Sequence, residues 1–294
     1  MALVLTLFAW PSARLEPRDL PVGVAGPPAA TKAIEGRLTA REGAFEVHHY
    51  PDEAAARRAI RDRDVYGAFV ATRAGAKVLT ASAASTVVAQ LLERAARESR
   101  ARTQDIVSAT PASTALGSSV LPLVLAGILS GAAAAHLGSG GLGRVGLVLV
   151  GSALAGLVAT AIVQSWLDVV RGDWLANAAA LSLTVLAIAS VVAGLYALLG
   201  APGAIVGALT MVLIGNPFSG VGSAPELLPQ PVGAIGQLMP PGAGGNLLRS
   251  TGFFDGAGAG AHVAVLVAWA LAGLALLLVS GARNRRPAPE ATPA

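Results

Sequence analysis

The sequence predicts a membrane-embedded, all-α helical bundle of about six transmembrane helices, with a small α/β domain inserted after the first. Three observations predict it. The chain is 54% hydrophobic and 13% charged, whereas soluble domains carry charge on about a quarter of their residues. Charge is also segregated: residues 11 to 115 hold 15 Lys/Arg and 12 Asp/Glu, and residues 116 to 282 hold only seven charges in all. Finally, hydrophobic periodicity changes character between these two regions. The chain is therefore built for two solvents.

A bilayer core about 30 Å thick takes about 20 apolar residues in a helix. Downstream of residue 115, the runs 118 to 137, 145 to 166, 174 to 199 and 261 to 280 meet that length. The run 203 to 215 is shorter and is interrupted by Asn216-Pro217; at helical rise it reaches about 18 Å, partway across. Residues 1 to 10 are apolar but span only about 15 Å. They lack the basic start and small-residue cleavage site of a signal peptide, so they are read as a truncated first transmembrane helix whose beginning lies upstream of Met1. A mature N-terminus at Met1, mapped by mass spectrometry, would count against that reading.

Orientation follows from basic residues, which favour the cytoplasm when they flank membrane segments. Arg283-Asn284-Arg285-Arg286 closes the last helix and places the tail 283–294 inside. Working backwards, 216–260 and the loop between Trp166 and Trp174 lie outside, as does the domain 11–115. Both tryptophans fit interfacial anchors. Gly127 with Gly131, Ser152 with Gly156 and Gly203 with Gly207 recur at a spacing that lets helix backbones approach closely, within a tight bundle or between the copies of a dimer.

Inside the domain, residues 22 to 25, 45 to 48, 66 to 70 and 77 to 80 read as strands, the last two joined by a turn at Ala74-Gly75. Residues 28 to 38, 52 to 62 and 85 to 102 read as helices, the last leading down to the membrane. The order is β-α-β-α-β-β-α. Arginines alternate with acids, as in Arg61-Asp62-Arg63-Asp64, which reads as a solvated surface and argues against nucleic-acid binding. With no cysteine, disulfides and thiolate metal sites are excluded.

No catalytic, cofactor-binding or metal site is expected. His48 and His49 have no acid or thiol at ligand spacing and read as a strand-end surface pair; His136 and His262 read as interfacial residues at helix ends. An intramembrane enzyme is disfavoured because no catalytic dyad appears. No strongly ionisable residue lies deep in a span, which disfavours a proton-driven carrier. Without a G-x-x-x-x-G-K-[ST] loop, any ATP-driven work needs a separate subunit.

The segment 216–260 is rich in Pro and Gly yet apolar, and cannot continue a helix through lipid. It is either a long external loop or a pair of short helices dipping back into the membrane. The second reading is preferred because Leu227, Leu228, Ile235, Leu238, Met239, Phe253 and Phe254 would otherwise face water. Asn216, Glu226 and Arg249 would then stand at the mouth of a substrate path, or serve as solvated caps.

One helix, an external domain, and five helices with a Pro/Gly re-entrant segment before the last resemble the ATP-binding-cassette type-2 permeases, particularly the YhgE/Pip (phage infection protein) branch. The residues carrying the resemblance are Asp19-Leu20-Pro21-Val22-Gly23-Val24, Val65-Tyr66-Gly67-Ala68-Phe69-Val70, Gly215-Asn216-Pro217-Phe218-Ser219-Gly220 and Leu238-Met239-Pro240-Pro241-Gly242. The resemblance implies a permease in a bacterial cell membrane, working as a dimer with a cytoplasmic ATPase subunit and moving hydrophobic or lipid-like cargo outward. The alternative is a non-transporting receptor or secretion-apparatus scaffold that binds a partner through its external domain.

Overall fold

A computed structural model describes residues 2 to 72 and 75 to 283. Ala74 of the expected hairpin turn, and the basic cluster and tail from residue 284 onward, lie outside the described residues.

Among the described residues, four helical runs are long and apolar enough to cross a membrane: Pro111–Leu137, Gly140–Trp166, Trp174–Leu199 and Ala259–Gly281. Two shorter apolar helices, Val4–Ala13 and Ala201–Gly215, do not reach that length. Four full-length spans thus replace the expected count of about six. The physical reason for the shortfall at residue 215 is local: helix α8 (Ala201–Thr210) loosens into a π-helical turn over Met211–Gly215 and stops before Pro217. Helix α1 covers Ala2–Ala13.

Helices α5 (Leu116–Leu137), α6 (Gly140–Thr160, prolonged by a π turn over Ala161–Trp166), α7 (Trp174–Leu199) and α11 (Ala259–Arg283) form the bundle. Helix α7 is its axis, buried along most of its length, while the others expose Leu129, Leu154, Val158 and Leu271 outward as a lipid-facing surface would. Asp173 caps α7 by accepting from the Ala176 N–H at 2.7 Å. The small-residue pairs face inward, within the chain. A β-carbon on Gly131 would lie 2.5 Å from the Ala189 carbonyl, one on Gly156 would strike Ser182, and one on Gly203 would strike Leu195. They bring α5, α6 and α8 onto α7.

The α/β domain holds β1 (Leu20–Ala25), α2 (Pro28–Thr39), β2 (Phe45–Tyr50), α3 (Glu53–Arg61), β3 (Gly67–Thr72), β4 (Gly75–Thr80), α4 (Thr86–Glu98) and β5 (Arg102–Asp105). The sheet order is β2-β1-β3-β4-β5, with β3 and β4 antiparallel and the other neighbours parallel. Strand β5 escaped the sequence reading because Arg102-Thr103-Gln104-Asp105 is polar and wholly exposed, a charged edge with no hydrophobic alternation. Helix α4 therefore ends at Glu98, and β5 with the following residues, not the helix, leads to the membrane helices. Helices α2 and α4 cover one face of the sheet over Leu20, Val22, Val24 and Val78, whereas α3 covers the other over Ala68, Val70 and Leu79.

The segment 216–260 is folded within the protein: a 3-10 turn at Pro225–Leu227, then α9 (Val232–Gln237) and α10 (Pro240–Phe253). Leu227, Leu228, Met239 and Phe254 are buried, Phe253 is half-buried, and Ile235 and Leu238 are exposed. Helix α10 is buried along almost its whole length.

Candidate functional site: the junction of domain and bundle

The junction starts with the end of α3. Asp52 caps this helix by accepting from the Ala55 N–H at 2.7 Å, and Ala56, Ala59 and Ile60 bury its apolar face. At the other end the chain leaves through Arg63, at φ 66°. The Arg63 N–H reaches the Ile60 carbonyl at 3.2 Å and the Asp64 N–H the Ala59 carbonyl at 2.9 Å. This closure normally uses glycine, and a β-carbon in the left-handed region costs about 1 kcal/mol. What the strained position provides is aim. Arg63 donates to the Asn246 carbonyl at 3.0 Å, to Asn246 Oδ1 at 3.3 Å and to Ser250 Oγ, with its guanidinium over the Phe254 ring at 5.3 Å.

The partners form a chain of hydrogen bonds along the buried helix α10. Arg249, only 5% exposed, donates to Asn246 Oδ1 at 3.0 Å and to the Val221 carbonyl at 2.7 Å. Asn246 donates to Gln237 Oε1 at 2.6 Å, and Gln237 donates to the Ser219 carbonyl at 2.8 Å. From the domain, Tyr66 donates to Glu226 Oε2 at 2.8 Å, while the Glu16 and Arg18 N–H groups bond the Leu227 and Glu226 carbonyls. Burial, then the Glu226 charge, pushes the Tyr66 phenol well above its usual range, so it stays a neutral donor. Burial pulls the Arg63 guanidinium below its usual value, opposed by Tyr66 and Glu226. Both arginines are hydrogen-bonded mostly to neutral oxygens, an arrangement that loses a great deal if one partner is removed.

A second network ties the neighbouring loop to the same helix. Thr251 donates to Asn177 Oδ1 at 2.6 Å; Asn177, fully buried, donates to Gln164 Oε1 at 2.9 Å and to the Arg171 carbonyl at 2.6 Å.

Beneath α10, between α5, α6 and α7, lies a cavity of about 410 Å³. Val120, Leu123, Ala159, Leu181 and Leu248 make it apolar, and the Thr184 hydroxyl in its wall is spent on the Ala180 carbonyl at 2.8 Å. Gly244 and Gly245 let α10 lie this close: β-carbons there would approach Thr184 and Val221 to 2.3 Å. Such a space accepts a hydrocarbon chain and offers an ion nothing.

Of the residues expected at a substrate mouth, Glu226 and Arg249 are brought into the junction, and Arg249 is a buried hydrogen-bonding centre, not a solvated cap. Asn216 stands apart, at the end of the π turn, where its carbonyl accepts from Ser219. Trp166 is 78% exposed and Trp174 is half-buried, its indole N–H donating to Ser165 Oγ at 3.3 Å. His48 and His49 pair with Glu46 at 3.4 Å and Glu35 at 3.0 Å, and no metal-binding group of three His, Asp or Glu occurs among the described residues. Arg63, Asn246 and Asn177 were missed. The reading of Arg63 as solvated surface is corrected: its side chain crosses into the bundle. Polar Asn177 in an apolar run was the available signal.

No protein-family model matches this chain, and neither a curated protein nor a solved structure matches it.

Proposed function

We propose that this multi-pass membrane protein is the permease subunit of an ABC-2-type exporter that moves hydrophobic or lipid-like cargo with a separate cytoplasmic ATPase subunit, as a dimer in a bacterial cell membrane. On this reading α1 and α8 complete a six-helix layout, the α/β domain and the α9–α10 pair stand outside, and the C-terminus is cytoplasmic. One observation carries it: an apolar cavity between α5, α6 and α7 is lined on one side by the buried helix α10, and that helix is held by the α/β domain through Arg63. Movement of the domain would thereby reach the wall of a space suited to an acyl chain.

The test is co-purification of the chain with an ATPase, followed by reconstitution in liposomes. Stimulated ATP hydrolysis that is lost on filling the cavity with Ala159→Phe is the expected result. An ATPase that never associates, together with a phenotype abolished by deletion of the outer domain alone, overturns the proposal in favour of a receptor or scaffold. That second reading has its own support. The turns opposite the domain are minimal, with Gly138 and Ser139 between α5 and α6 and Gly200 between α7 and α8, which leaves an ATPase little to grip.

A further inference from the structure

Helices α2 and α4 do not close over their face of the sheet; between them lies a groove of about 690 Å³, within the range of small-molecule sites. Its floor is apolar, with Phe45, Phe69, Val87 and Leu91 each only half-buried. Water-facing aromatic and aliphatic groups concentrated in one concave place mark a binding surface. Its rim carries Arg37, Arg41 and Arg94 against one acid, Glu98. None of the three arginines has a carboxylate within ion-pair distance among the described residues, although Arg97, on the same helix as Arg94, is paired with Glu93. Leu15, just past the end of apolar α1, also lines the groove and is 40% exposed. The groove therefore opens beside the membrane-facing part of the chain. Ala224 and Leu227 pack into the same face of the sheet, but none of the groove's lining residues belongs to the hydrogen-bond network of the junction.

We propose that this groove binds a single-chain anionic lipid, with the hydrocarbon laid on Phe45, Phe69 and Leu91 and the phosphate or carboxylate held by Arg37, Arg41 and Arg94. The net positive rim selects an anion, the apolar floor requires a chain, and the position of Leu15 gives lipid a short route in. Binding does not depend on the export reading: the groove can fill in a chain that never associates with an ATPase.

The experiment uses the full chain in an uncharged detergent, with 1-palmitoyl lysophosphatidic acid as probe and native mass spectrometry as readout. One lipid is expected to be retained, with 1-palmitoyl lysophosphatidylcholine held at least about tenfold more weakly because its headgroup lacks net charge. Arg37→Gln with Arg94→Gln, both at exposed positions, is expected to lower affinity by at least about tenfold, and Leu91→Trp to abolish binding by filling the floor. Ala159→Phe, in the bundle cavity, leaves binding intact. Retention unchanged in both groove variants overturns the proposal, as does loss that follows Ala159→Phe, which would put the lipid in the bundle. Displacement by inorganic phosphate alone also overturns it, since a free anion would then be the ligand.

Discussion

The two ends of the bundle are held by different forces. Away from the α/β domain, helices meet backbone to backbone. A β-carbon on Gly194 would lie 2.6 Å from the Gly273 carbonyl, one on Gly273 would lie 2.3 Å from the Ser190 carbonyl carbon, and one on Gly281 would lie 2.8 Å from Gly141. On the domain side the helices are spread by α10, joined by side-chain hydrogen bonds through Asn246, Arg249 and Asn177, and hollow. Close packing tolerates one arrangement only, whereas a polar network beside a cavity can exchange partners. The closed end is a clamp, and the open end is the part of the bundle with room to rearrange.

The largest effect should come from breaking the clamp. Gly273→Leu forces a side chain against α7 backbone that cannot swing aside, and overpacking of this kind costs about 1–3 kcal/mol or more. We expect loss of monodisperse protein in detergent or a sharply lowered apparent Tm. A Gly273→Leu protein that melts like the parent would show that the glycine crossing does not hold the bundle.

Next comes the bolt between domain and bundle. Arg63→Ala removes charge-assisted bonds worth about 1.5–3 kcal/mol together and leaves the Asn246 carbonyl and Ser250 without their donor. Hydrogen exchange should accelerate at residues 16 to 18, at 226 to 228 and in α10, while exposed Arg61→Ala changes nothing. Arg63→Gly should break the same bolt yet lose up to about 1 kcal/mol less, because glycine relieves the left-handed turn. Equal protection in Arg63→Ala and the parent would mean the domain rests on the bundle through Ala224, Leu227 and Phe254 alone.

These two regions also differ in how far they could be read from sequence. The apolar helices of the clamp were legible because lipid demands uninterrupted apolar runs, and the four-residue spacing pointed to Gly131, Gly156 and Gly203, which do lie against α7; Gly141, Gly194, Gly273 and Gly281, where the clamp closes, stand outside those pairs and were not singled out. The bolt was not legible. Arg63 sits among Arg61, Asp62 and Asp64, its neighbours point to water, and its partners lie 183 and 187 residues away. Local pattern carries no information about a contact that depends on how the domain docks. Glu226 and Arg249 were found because charge is conspicuous in an apolar stretch, and Asn246 beside Gly244 and Gly245 was not, because it looked like loop composition.

A smaller effect on stability is expected from filling the hollow. Ala159→Phe adds a ring to a cavity of about 410 Å³ that has room for it, so apparent stability should move by less than about 1.5 kcal/mol, in contrast to Gly273→Leu at the other end. A loss as large as that of the glycine variant would show that the cavity wall is as unyielding as the clamp.

The smallest effect is expected from an interaction that belongs to water. Glu53 accepts from Arg57 at 2.6 Å and from Lys77 at 2.7 Å, and these hydrogen bonds, Lys77 first, hold its carboxyl below the ordinary value of 4.5. A carboxylate lowered on folding stabilises the native state above its unfolded pKa, and that contribution disappears as the pH falls through the lowered folded value. All three side chains remain about a quarter exposed, so solvent screens the pair and Glu53→Gln should cost under about 1 kcal/mol at pH 7. The gap between parent and variant, read by hydrogen exchange in α3 and β4, should narrow as the pH falls below 4.5 and in high salt. A gap indifferent to both acid and salt would mean that Glu53 acts through shape, as the residues of the clamp do, and not through charge.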